Sequence, residues 1–123
     1  MKKFLNWIPS LIMMAVIFVI SSLPGQFVDS IGLGRESYHI NGHFALFLIL
    51  CIFYFKATKN ILLSIVLGLI YAVLDEIHQI FTPYRSTSLF DIYVDAGGVF
   101  AGGLILWKLY YLLPKKLKNW LKK

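Results

Sequence analysis

Charge is scarce in this chain. Only 15% of its 123 residues are Asp, Glu, Lys or Arg, against about 25% in an ordinary soluble domain. A small soluble domain has a large surface relative to its core and needs polar residues to cover it. The shortage argues against a soluble globule. A chain that is 59% hydrophobic and 16% aromatic is equally unlike a disordered one, which is poor in apolar groups and rich in charge. There is one cysteine, Cys51, and it lies inside an apolar run. That excludes an intrachain disulfide and a cysteine-based metal site. No segment alternates apolar and polar residues with period two, so strands are not supported. Internal repeats and low-complexity tracts are absent as well. Acids are the scarcer sign, six against twelve basic residues, for a net charge of +6.

What the chain does have is four long apolar runs, near residues 4–20, 41–55, 61–81 and 89–113. A helix needs about 20 residues to cross the hydrocarbon of a bilayer. The third and fourth runs are long enough and the first is adequate. The second must begin near His39 to span. The pattern predicts an all-α, polytopic membrane protein with four transmembrane helices in a single domain over residues 1–123. Lys2 and Lys3 ahead of the first run resemble the start of a signal peptide. The run is long, however, and no Ala-x-Ala site follows, so it reads as an uncleaved first helix. The loop after it, with Pro24, Gly25, Gly32 and Gly34, has room for a short re-entrant or interfacial piece.

The lysines set the orientation. Lys2 and Lys3 precede span one. Lys56 and Lys59 join spans two and three. Lys108, Lys115, Lys116, Lys118, Lys122 and Lys123 end span four or follow it. Four spans put all ten on one side, which should be the cytoplasm, with both termini inside. Trp107, Tyr110 and Tyr111 suit an interfacial belt there. Leu113, Leu117, Trp120 and Leu121 share one face of the tail, which reads as an amphipathic segment on the anionic inner leaflet. A merely solvated basic tail is the plainer reading. Nucleic acid is not an expected partner. Localisation in the plasma membrane follows from the same pattern.

The acids fall on the opposite side. Span three ends Tyr71-Ala72-Val73-Leu74-Asp75-Glu76-Ile77-His78-Gln79-Ile80-Phe81. A charged residue inside a span costs about 2.5–3.5 kcal/mol on insertion scales and calls for a partner or a function. At 100° per residue, Asp75, His78 and Gln79 share a face, with Glu76 turned away. In span four, Asp91, Asp95, Gly98 and Gly102 form one line; in span three the matching line is Gly68, Ala72, Asp75 and Gln79. Small residues at this spacing allow close helix packing. The short connector at residues 82–87 makes the two spans antiparallel neighbours. Asp75 and Asp95 then lie at one depth, roughly 10 Å below the outer end. His43, near the outer end of span two, and Arg85, in the connector, join the same level.

The chemistry this cluster would support is broad. His beside Asp is a general-base arrangement; Asp75 and His78, with Glu76, are the candidate acid–base residues. Arg85 offers a fork for phosphate or carboxylate, and Gln79, His43, Asp91 and Asp95 are candidate binding residues. Asp91 and Asp95 cannot both ionise cheaply side by side. They call for a shared proton, an Arg85 bridge or a cation, and oxygen donors with histidine would suit a divalent metal as the cofactor. Ser88 reads as the N-cap of span four. The plain structural reading is that the polar cluster only fastens the helices together.

The segment from Asp75 to Arg85, with its order Asp-Glu-x-His-Gln-x-Phe-x-Pro-x-Arg, followed by Asp91, Asp95 and Gly98, resembles the VanZ-like membrane protein family. Ser21-Ser22-Leu23-Pro24, His43 and Phe47 add to the likeness. It departs at Ile40, where relatives often carry a basic residue, and at Phe47, where they often carry Tyr. The resemblance implies a small helical membrane protein, in a family named for resistance to teicoplanin-type glycopeptides. The reading that follows is an outward-facing polar pocket that acts on, or binds, a cell-envelope lipid or glycan-linked group. The alternative is a non-enzymatic binding or structural role. A transporter is a weaker idea, because four spans leave little room for a pathway.

Overall fold

The computed structural model describes residues 1–32, 36–82 and 89–123 and, within them, every side chain except those of residues 25, 28, 29 and 36–39. Among the described residues there is no strand. In chain order the helices are α1 (Lys2–Leu5), α2 (Ile8–Ser22), α3 (Gly25–Ser30), α4 (Glu36–Thr58), α5 (Ile61–Ile80), α6 (Leu89–Trp107) and α7 (Lys115–Lys122), with a 3-10 turn at Tyr110–Leu112. Among the described residues four stretches are long and apolar enough to cross a membrane: Lys2–Ser22, Ile40–Thr58, Ile61–Ile80 and Leu89–Trp107. The all-α, four-span architecture is the one the apolar runs predict. α4 starts even before His39, so the second span has its full length. The short helix α3 occupies the first loop.

Local chemistry sets the helix ends. Pro9 lies in the first turn of α2, where a missing N–H leaves no bond unmade. Leu23, ahead of Pro24, is extended, as a residue before proline prefers. α4 stops where Lys59 takes a left-handed conformation, φ 56°, with its N–H on the Phe55 carbonyl at 2.8 Å. Asn60 then caps α5 by accepting from the Leu63 N–H at 3.0 Å. α4 and α5 are thus joined by two residues and run antiparallel.

α4 is the central helix. It packs on α2, α5, α6 and α7, and its contact with α6 is the most extensive. Phe47, Leu50, Cys51 and Tyr54 of α4 are buried with Ile17 of α2, Ala72 of α5 and Val99 of α6. The outer faces are apolar too: Leu62, Ile70, Leu74 and Phe100 are each more than half exposed. Soluble monomers rarely show so large an apolar surface. Hydrocarbon is the solvent that suits it.

The fourth apolar run reaches residue 113, but α6 ends at Trp107. Leu113 is extended ahead of Pro114, and the residues between turn the chain. α7 then folds back under the bundle. Leu113, Leu117, Trp120 and Leu121 pack with Ile52 and Leu106. Lys56 Nζ donates to the Trp120 carbonyl at 2.6 Å and sits over its ring, and Lys59 Nζ donates to the Leu121 carbonyl. The last carbonyls of a helix lack partners within it, and here two lysines supply them. The apolar face of the tail packs against the end of the bundle, while Lys115, Lys116, Lys122 and Lys123 remain exposed. Asn6 Nδ2 also reaches the Lys123 carbonyl at 3.5 Å. The N-terminal segment, the α4–α5 joint and the tail therefore gather at one end.

Candidate functional site

Polar side chains are buried at the other end of the bundle. His43 of α4, Asp75 and Gln79 of α5, and Asp95 of α6 are 6%, 3%, 1% and 0% exposed, and Ser21 of α2 is fully buried. His43 Nδ1 donates to Asp95 Oδ1 at 3.0 Å. Gln79 Nε2 lies 3.4 Å from both Asp75 Oδ2 and Ser21 Oγ. Thr82 Oγ1 donates to the Ser21 carbonyl at 3.2 Å. Donor atoms of His43, Asp75 and Asp95 all lie within 4.8 Å of one another. At one level α4 is thus hydrogen-bonded to α6 and α2 to α5, where the hydrocarbon would offer no partners.

The glycines explain why α4 and α6 come close enough for the His43–Asp95 bond. A Cβ on Gly98 would lie against the Phe44 carbonyl and 3.2 Å from Leu48 N; on Gly102 it would lie 2.8 Å from the Leu48 carbonyl and 2.9 Å from Cys51 Cβ. The line Asp95, Gly98, Gly102 therefore faces α4. This corrects the expectation that it packs on the Gly68–Gln79 line of α5. At the α5–α6 contact Gly68 of that line receives Val99 instead, and Gly103 receives Ile65. Asp75 and Asp95 still meet, with His43 of α4 beside them.

The acid–base pair expected from the sequence is arranged differently. His78 does not bond Asp75. Its Nε2 lies 2.7 Å from Ser22 Oγ, and its ring stacks on Phe18 with centroids 4.3 Å apart. Position 78 is turned by about 60° from position 75, enough to aim it at α2. Among the described residues the histidine that meets a carboxylate is His43. Asp95 holds His43, and Asp91 lies half-buried one turn away. Glu76 is buried, 5% exposed, so it faces protein. Arg85 and Ser88 lie outside the described residues. Sequence reasoning does not mark Ser21, Ser22 or Thr82 as site residues. The signal that could have found the two serines is a pair of adjacent hydroxyls in the last turn of an otherwise apolar first span.

Two kinds of chemistry are present. The buried group has one imidazole and two carboxylates, able to hold a proton or a cation away from water. Beside it, Ser22 and the partly exposed His78 form a hydroxyl–imidazole pair at the bundle surface. Ser22 Oγ also donates to the Phe18 carbonyl at 2.7 Å. A hydroxyl has one proton, so while that bond holds, His78 Nε2–H is the donor to Ser22.

No curated protein and no solved structure matches the chain. The sequence profile of the VanZ/LLP1 family matches residues 4–113, which takes in all four spans, the buried His43–Asp75–Asp95 group and the Ser22–His78 pair. The chain belongs to the VanZ/LLP1 family.

Proposed function

We propose that this protein sits in the plasma membrane with its lysine-rich end in the cytoplasm, and that its polar end binds and acts on a lipid-linked or glycan-linked group of the cell envelope. The observation that carries this reading is the convergence of buried polar side chains from α2, α4, α5 and α6 at the end opposite the lysines. Charged groups at such depth are costly, and a helix bundle can be built without them. Within the cluster the roles divide. His78, partly exposed and beside Ser22, is the proton-transfer residue nearest to an incoming ligand. Asp75, Glu76 and Gln79 set the polarity behind it, and Arg85 and Asp91 belong to the segments that would meet an anionic or hydroxylated group. Protection against teicoplanin-type glycopeptides would follow from altering or occupying that envelope group.

A second reading applies to one part of the cluster. His43 and Asp95 are so fully buried and so directly bonded that fastening α4 to α6 is a sufficient role for the pair itself.

The test compares lipid-linked envelope intermediates in cells carrying wild-type or His78→Ala protein at matched levels. The expected result is a changed profile with the wild type that His78→Ala abolishes while the protein still accumulates. Identical profiles would remove enzymatic action on that pool. The orientation is checked separately with Tyr84→Cys in a Cys51→Ser background. A membrane-impermeant thiol reagent added to intact cells should label it, and labelling only after the cytoplasm is opened would invert the topology.

A further inference from the structure

We propose that His43, Asp75 and Asp95 form a binding site for one divalent first-row transition ion. The inference deepens the reading above and rests on the same cluster. Its measurement is made on purified protein, so ion binding and envelope function can fail independently.

Three different helices supply one ligand residue each, and the candidate donor atoms lie within 4.8 Å of one another. The 3.0 Å between His43 Nδ1 and Asp95 Oδ1 matches the spacing of neighbouring donors around an ion held at about 2.0–2.2 Å; on ligation the ion takes the place of the proton between them, which His43 carries on Nε2 or releases to solvent. The third donor closes in through a side-chain rotation of Asp75. A second observation concerns Asp95 alone. Its Oδ2 is buried and accepts no hydrogen bond among the described residues. A buried acceptor without a donor carries its full desolvation penalty, and a cation removes that penalty without adding a proton.

The surroundings suit a metal. Gln79 Nε2 reaches Asp75 Oδ2, an outer contact that orients the carboxylate. Two carboxylates and one imidazole carry up to two negative charges, which a dication neutralises. Their near-complete burial makes that neutralisation worth more than it would be in water. The donor set also selects the ion. With no thiolate or thioether ligand it disfavours soft monovalent copper, and three donor residues fall short of the six to eight oxygens calcium takes. One nitrogen with two oxygens fits zinc, manganese or ferrous iron.

The experiment uses the full chain purified in detergent, stripped with a chelator, and then equilibrated with Zn²⁺ or Mn²⁺. Bound metal per chain is measured by elemental mass spectrometry and the melting temperature is recorded in parallel. The expected result is about one ion per wild-type chain with a raised melting temperature. Asp75→Asn should weaken binding at least about tenfold, the range that even an outer-contact loss reaches, while His78→Ala keeps full occupancy. A wild-type chain that binds no more ion than the His43→Asn, Asp75→Asn double variant overturns the proposal. So does binding that occurs only in Arg85→Ala protein, which would give the place to the Arg85 guanidinium. The wild-type titration decides the matter even where a variant does not fold.

Discussion

In chelator-treated protein, His43→Leu is expected to lose about 3 kcal/mol of stability, whereas Asp95→Asn loses less than about 1 kcal/mol. The two changes act on the same bond, 3.0 Å between His43 Nδ1 and Asp95 Oδ1, yet they leave different remnants. A hydrogen bond between membrane helices is worth about 0.6 kcal/mol on average and about 1.7 at most. The amide introduced by Asp95→Asn would keep an oxygen for the histidine N–H, so even that small amount is partly retained. Leucine at position 43 keeps the bulk of the imidazole but strands a carboxylate that is 0% exposed. A charge at the centre of a span costs about 2.5–3.5 kcal/mol, and Asp95 sits about 9 Å inside the start of α6 at helical rise. The stranded charge, not the lost bond, is the dominant effect. Combining His43→Leu with Asp95→Asn should therefore recover most of the loss, to within about 1 kcal/mol of wild type. Equilibrium unfolding in mixed micelles measures all three variants. Equal losses from the two single changes, or additive losses in the double, would show that the pair is not coupled. The double variant also separates roles. If the pair only fastens helices, restored stability restores the envelope phenotype; if it holds a ligand, the phenotype stays lost.

The four spans, the gathering of lysine-bearing segments at one end and the meeting of His43, Asp75 and Asp95 are legible in the sequence because each follows from spacing along a helix or from counting crossings. Partner choice between helices is not. The line Asp95, Gly98, Gly102 can be read from its spacing, but spacing does not say which neighbour fills it. α5 adjoins α6 through the short connector, so chain order favours it. α4 takes the place because its Phe44–Leu48 backbone fits against the glycines, while Val99 and Ile65 bridge α5 and α6. His78 shows the same limit. Its helical angle is legible to about 60°, which is the difference between facing Asp75 and facing Ser22. The packing of the tail is not legible for a third reason. Its amphipathic pattern specifies that an apolar face must be covered. What packs against it depends on Lys56 and Lys59 meeting the end of α7, a contact between residues far apart in sequence.

Gly98→Ala should abolish accumulation of the folded protein, and its neighbour Gly97→Ala should be neutral or slightly stabilising. Both replace a helical glycine by the best helix former, a change worth up to about 1 kcal/mol in favour of alanine. At Gly97 the new methyl meets only the Phe44 ring, at 3.5 Å, an ordinary contact. At Gly98 it meets the Phe44 carbonyl and the Leu48 nitrogen. These are backbone atoms of a helix and cannot rotate away, so α4 and α6 must separate. Overpacking a tight interior costs about 1–3 kcal/mol, occasionally more, and here it falls on the most extensive helix contact in the bundle. The damage also reaches the polar end. Gly98 is one turn from Asp95, and Phe44 adjoins His43, so a shift of the two backbones by about half an ångström stretches a 3.0 Å bond to the edge of hydrogen-bond range. Gly102→Ala, with contacts of 2.8 and 2.9 Å, should lie between the two. Gly103→Ala should cost little, because it meets the flexible end of Ile65. Membrane levels and melting temperatures across this series test the order. A Gly98→Ala protein as stable as Gly97→Ala would mean that α4 and α6 are not held by that contact, and the close approach that brings His43 to Asp95 would need another cause.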